Sequence, residues 1–217
     1  MEPPRVDGRD RIKSRAGSHI DPSYMEMARS RGYHVTTPEL RGKKQVSPRE
    51  LPTQLFDWFW IGPETAIVDH NGVKEYNFTH LLNCSDDGGA EYKNKLPNGV
   101  LYKGYNISDM ESEPIEKHFE KVFNLIEWVR QEREQKRPVR MYMYCGTGIS
   151  LSVTFACYWF MKFYKKPLDD CLEFVKKRRP YANPNFGFLK KLRIQESTLL
   201  GYRKQQDIQL PHQDYNF

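Results

Sequence analysis

The stretch that most restricts the fold of this chain is Tyr144-Cys145-Gly146-Thr147-Gly148-Ile149-Ser150-Leu151-Ser152. An apolar, β-favouring run from Val139 to Tyr144 leads into it, and an apolar run of helix length, Val153 to Phe163, follows. The pattern predicts a strand that feeds a glycine-containing turn, which in turn opens a helix. At such a junction unpaired backbone N–H groups and the positive end of the helix dipole converge on one spot that suits a phosphate dianion. Cys145 would sit beneath that spot, where a thiolate is favoured, and the matching chemistry is attack of sulfur on phosphorus.

A cysteine followed by glycines is a weak signal alone, but other segments support it. Phe78-Thr79-His80-Leu81-Leu82-Asn83-Cys84 reads as an early buried strand, and Asp109 lies in a loop after the next strand-like run. Farther on come Arg178-Arg179-Pro180 and Asn183-Pro184-Asn185-Phe186-Gly187-Phe188-Leu189. Together, from about Leu51 to Leu200, these segments resemble the dual-specificity branch of the protein-tyrosine-phosphatase family, whose signature is His-Cys, five residues, then Arg-Ser. The resemblance implies a nucleophile at Cys145 and a phosphate loop formed by Gly146, Thr147, Gly148, Ile149, Ser150 and Leu151. It also implies a general acid at Asp109 and a retained loop serine at Ser152.

Two signature positions depart from the family: Tyr144 replaces the histidine and Leu151 replaces the arginine. Arginine brings a permanent charge and a planar fork that holds phosphate bidentately, and leucine brings neither. Phosphoryl transfer depends chiefly on positioning and charge stabilisation, and a cationic finger there is worth ~10³ to 10⁵ in rate. Lys103 is a conceivable substitute cation, although a lysine on a basic surface is ordinarily just solvated. Cys145 and Asp109 are therefore expected as vestiges of an acid–nucleophile pair.

The 217 residues, 25.7 kDa, suffice for one buried core plus an extra segment. Hydrophobic residues make up 38% and mean hydropathy is -0.78, which points to a partly solvated chain. Residues 1–50 lack sustained periodicity, carry five prolines, and hold eleven Lys/Arg against seven Asp/Glu, so an extended basic N-terminal arm is expected there. Residues 51–200 would be the phosphatase-like domain and 201–217 a polar tail. Within the domain, Leu55 to Ile61, Phe78 to Cys84 and Val100 to Ile107 read as strands. Ile115, Phe119, Phe123, Ile126 and Val129 recur with helical spacing, and Leu168 to Lys177 and Asn185 to Leu199 give two more amphipathic helices. The expected fold class is α/β: a protein-tyrosine-phosphatase-like layered domain with a mainly parallel central sheet flanked by helices.

Lys176-Lys177-Arg178-Arg179 resembles a basic localisation or polyanion-binding patch but is read mainly as a helix C-terminus stopped by Pro180, and the aromatic run around Trp159 is read as core. The four cysteines lack metal-ligand spacing or a dense disulfide pattern, so reduced thiols, no metal and no cofactor are expected. No apolar stretch is of membrane-spanning length, and the start lacks a signal-peptide pattern, which favours the cytoplasm, with nucleus or cytoskeleton also open.

The sequence as a whole suggests a catalytically inactive pseudophosphatase, similar to the serine/threonine/tyrosine-interacting group, that binds proteins as a scaffold. It differs from that group's best-known member, which lacks the cysteine and keeps the arginine. The expected partners are proteins, phosphoproteins among them, engaged through the domain and the basic arm; the net charge of +6 also permits nucleic acid, which is not favoured, and no membrane contact is expected. Two alternatives stand beside this reading: a residual phosphatase using Cys145 and Asp109, and a structural subunit of a large cytoskeletal or ribonucleoprotein assembly.

Overall fold

The computed structural model describes residues 46–68, 72–85 and 96–201. Most of the expected arm and the tail beyond residue 201 lie outside the described residues. The last five residues of the 1–50 segment are built into the domain. Ser47 caps a short 3₁₀ turn, Pro48–Glu50, its hydroxyl accepting from the Arg49 N–H while Glu50 accepts from the Ser47 N–H.

Among the described residues five strands form one sheet: β1 (Thr53–Phe56), β2 (Phe59–Pro63), β3 (His80–Asn83), β4 (Leu101–Gly104) and β5 (Met141–Cys145), in the spatial order β1-β2-β5-β3-β4. Only the β1–β2 pair is antiparallel, and β2–β5, β5–β3 and β3–β4 are parallel. The mainly parallel sheet is as expected, with one correction. Leu55 to Ile61 is a hairpin rather than a single strand, turning at Asp57-Trp58. The turn carries a single turn-favouring residue, Asp57, with no glycine or proline beside it, and it is hidden inside an aromatic run.

β5 is the central strand and all five of its residues are buried, as a strand covered on both faces requires. Its side chains alternate between two apolar layers. Met141, Met143 and Cys145 join the principal core, built with the helices α3 (Glu116–Glu134), α4 (Leu151–Tyr164), α5 (Leu168–Arg178) and α6 (Phe186–Leu200). Tyr142 and Tyr144 point the other way, into a second core with the short helices α1 (Thr65–Val68) and α2 (Gly72–Glu75). α4 is apolar nearly all round and is buried from Leu151 to Met161. Its Trp159 meets Phe56, Trp58 and Phe59 edge-on, which assigns the aromatic run to packing. α3 buries Phe119, Val122, Ile126 and Val129 at helical spacing, whereas Phe123 is half-buried with the Lys162 ammonium 4.2 Å above its ring.

Arg140, unexplained by the sequence, ends the segment before β5. Its guanidinium donates to the Tyr76 carbonyl at 2.9 Å, its N–H donates to the Thr79 hydroxyl at 2.9 Å, and its carbonyl accepts from the Thr79 N–H.

The aromatic layers make stability sensitive to alkali. Burial, with a smaller push from Glu75, raises the Tyr76 phenol to about 12, and burial holds Tyr142 well above its usual 10.0. A phenol whose folded pKa exceeds its unfolded value stabilises the fold fully below the unfolded value, near pH 10, and that contribution is lost as pH rises toward the folded value. Urea denaturation at pH 8 and at about pH 11 should show a lower midpoint in alkali, coincident with the tyrosinate absorbance change. An unchanged midpoint would contradict the burial of these phenols.

Candidate active site

The loop begins where β5 ends. Cys145 lies opposite Pro63 of β2; its carbonyl accepts from the Glu64 N–H at 2.9 Å, and the neighbouring Tyr144 carbonyl accepts from the Cys84 N–H at 2.8 Å. These bonds tie the end of β5 to the strands on both sides. Gly146 and Thr147 are exposed, Gly148 is buried, and Ser150 leads into α4. Gly148 has φ +65°, and a Cβ there would collide with the backbone of Gly62 and Pro63. Gly148→Ala should therefore cost about 2 kcal/mol or more, from the left-handed backbone plus the clash. Equilibrium denaturation checks this, and a near-neutral result would mean that the loop does not sit against β2.

Cys145 is only 2% exposed, and its Sγ lies 3.5 Å from the Ser152 Oγ. Ser150 and Asp109 are joined: the Ser150 hydroxyl donates to Asp109 Oδ1 at 2.6 Å, and Asn185 Nδ2 donates to the same oxygen at 2.9 Å. Asn185 also donates its N–H to Ser150 Oγ at 3.1 Å and caps α6 through Oδ1, which accepts from the Phe188 N–H. Next to Asp109, the Glu111 carbonyl accepts from the Lys191 ammonium, and a side chain on Gly187 would strike the Glu111 backbone. The loop carrying Asp109 is thus fastened to α6 and to the start of α4. Of the residues expected in the site, the structure pairs Cys145 with Ser152 and Asp109 with Ser150.

Leu151 is 1% exposed and packs in the principal core at the first position of α4. Tyr144 is also buried, but on the other face of the sheet, where its ring stacks on Tyr142 with centroids 5.5 Å apart. Tyr144 therefore lies on the face opposite Cys145 and does not fill the space above the sulfur. Lys103, on β4, holds its ammonium 5.5 Å above the Tyr105 ring.

The residue that sequence reasoning missed is Arg179. Expected as part of a basic helix C-terminus, it is 1% exposed and reaches the inner side of the loop. Nε donates to the Gly148 carbonyl at 2.7 Å, and Nη2 donates to the carbonyls of Thr147 and Arg49. Nη1 donates to the Leu51 carbonyl at 3.2 Å and the Thr53 hydroxyl at 3.1 Å. Burial lowers the Arg179 pKa from its usual value, with the fields of Tyr142 and Cys145 opposing the shift. Its neighbours Lys176, Lys177 and Arg178 do behave as an exposed helix end. No cluster of three or more His, Cys, Asp or Glu residues suited to a metal occurs among the described residues.

Comparison with known proteins fits this geometry to a family. The sequence model of the dual specificity phosphatase catalytic domain matches residues 59–198, which contain the loop, Asp109 and Arg179. The chain belongs to the dual specificity phosphatase family.

Among curated relatives, it is 26% identical over 149 residues to dual specificity protein phosphatase 1 of Arabidopsis thaliana, covering 69% of this chain and 71% of that protein. It is 26% identical over 159 residues to the human protein phosphatase Slingshot homolog 3, covering 73% of this chain but only 23% of that protein. The human tyrosine phosphatase-like serine/threonine/tyrosine-interacting protein shares the dual specificity phosphatase fold, with TM-score 0.61, 20% identity, and coverage of 70% of this chain and 99% of that one.

Proposed function

We propose that this chain is a catalytically silent dual specificity phosphatase domain that binds protein partners through the retained scaffold, with weak affinity for phosphoproteins at the loop. One observation carries the reading: the position matching the family's arginine holds Leu151, an uncharged side chain buried in the core. A transferring phosphoryl group spreads charge over three oxygens and needs fixed positive donors beside them. Arg179 cannot supply them, because all three guanidinium nitrogens donate to carbonyls or to Thr53 on the inner side of the loop. Lys103 is turned to Tyr105. The nucleophile and its serine neighbour remain, so the backbone of 146–150 can still attract an anion, without the fork that would make the grip strong.

The test is turnover. Purified protein should hydrolyse aryl phosphates and phosphotyrosine peptides no faster than its Cys145→Ser variant. A rate well above that background, abolished by the substitution, would instead support a working phosphatase that uses Cys145 and Asp109.

A further inference from the structure

β4 ends the spatial order of the sheet, and among the described residues it is the one strand with no buried side chain. Between it and α3 lies a cavity of about 210 Å³. The buried Leu82 and Met141 form its floor, Leu101 of β4 stands on one side, and Leu125 and Trp128 of α3 stand on the other. Leu101 is 51% exposed and Trp128 41%, so two large apolar side chains meet water at its mouth. The His80 ring meets the Trp128 indole edge-on at 5.3 Å and steadies that wall. Met141 opens β5 whereas Cys145 ends it, so the cavity lies toward the end of the sheet away from the loop.

Charge around the cavity is uneven. Lys121 precedes Leu125 and Trp128 by four and seven residues and shares their face of α3, and Lys103 follows Leu101 by two and shares its face of β4. Both lysines are exposed, and neither has a carboxylate partner among the described residues. By contrast, Glu132, one turn beyond Trp128, is already paired with Arg137, and Lys117 with Glu113. One end of the cavity is therefore neutralised and the other offers two unmatched cations.

We propose that this cavity docks a segment of a partner protein in which a bulky apolar side chain is flanked by carboxylates. The apolar side chain enters between Leu101 and Trp128 and takes their exposed surface out of water, which supplies most of the affinity. The flanking carboxylates meet Lys103 and Lys121 at the rim, where charge sets partner choice and association rate more than strength. The same charges argue against two other occupants. A second copy would bring a like patch with its own pair of lysines against this one, and residues 1–50 carry eleven Lys/Arg against seven Asp/Glu. The inference rests on the protein-binding half of the proposed function and gives it a place, but it does not depend on the silence of the loop.

The experiment measures fluorescence anisotropy of labelled synthetic peptides added to the full chain. One set carries leucine, phenylalanine or tryptophan flanked by aspartate and glutamate; a second has the same apolar residues flanked by lysine; a third is acidic with serine in the apolar place. The first set should bind saturably and more weakly as salt is added, and the other two should not bind. Leu101→Ala and Trp128→Ala should each weaken binding by about tenfold. Lys103→Glu/Lys121→Glu should transfer the preference to the lysine set, a gain that misfolding could not produce. The proposal is overturned if no peptide of the first set saturates the unaltered protein, whether because a second copy or the chain's own termini fill the cavity or because nothing docks there. It is equally overturned if Leu101→Ala and Trp128→Ala bind as before, if the charge swap leaves the preference unchanged, or if a single-stranded oligonucleotide displaces every peptide. Because turnover is not the readout, a hydrolysing protein that binds the acidic set would defeat only the silent reading, and a silent one that binds none would defeat only this docking site.

Discussion

Replacing Leu151 with arginine should raise phosphatase turnover on aryl phosphates by on the order of 10³-fold, the lower end of what a cationic finger supplies. That factor corresponds to about 4 kcal/mol of transition-state stabilisation. On the proposed reading the arginine is the missing part, since Cys145 ends β5 beside Ser152 and Asp109 is fastened to the loop through Ser150. To act, the new guanidinium must leave the core position that Leu151 fills and emerge on the phosphate side. Lost packing should therefore lower stability by about 2–3 kcal/mol even as activity appears. The gain must vanish in Leu151→Arg/Cys145→Ser, which separates chemistry at sulfur from contamination. Tyr144→His alone should give no turnover, since that side chain belongs to the opposite face of the sheet, where it stacks on Tyr142. A folded Leu151→Arg protein with no gain would show that more than the cation is missing from the site.

The second large effect concerns stability. Arg179→Met should destabilise the domain by about 3–5 kcal/mol, because a buried cation is removed and its acceptors lose their donors. Methionine keeps much of the volume, so the loss would report on the hydrogen bonds more than on a cavity. Lysine should rescue little, since one ammonium cannot reproduce a planar fork reaching Gly148, Thr147, Leu51, Arg49 and Thr53. Chemical denaturation of the three proteins measures this, and a change below ~1 kcal/mol would mean that water replaces the guanidinium without loss.

Much of the fold was legible because burial imposes periodicity. α3 shows its buried face through Phe119, Ile126 and Val129, and β5 shows its central place through an unbroken apolar run. The hairpin was harder to read, because the one turn-favouring residue, Asp57, stands alone inside an aromatic run with no glycine or proline beside it. At the site, the apolar runs on either side announced that the glycine loop joins a strand to a helix, whereas Asp109 was singled out through the family resemblance. The direction of Tyr144 was open to the same logic, since adjacent strand residues face opposite ways and Cys145 faces the loop. Arg179 was not readable. A run of four basic residues at a helix end ordinarily meets water, and only the three-dimensional approach of Thr147, Gly148 and the 49–53 segment makes one of them internal.

The reach of Arg179 also bears on the order in which this domain takes shape. Its bond to the Leu51 carbonyl closes a span of 128 residues, and its bond to Gly148 closes one of 31. Long closures form slowly, after local helices and hairpins, because ordering the intervening chain is unfavourable until many contacts form together. A nascent chain that has emerged as far as α4 would already contain every residue of the signature and still lack the brace beneath it. The stretch that follows α4, rather than the cysteine strand, would then decide when the loop acquires its final curvature.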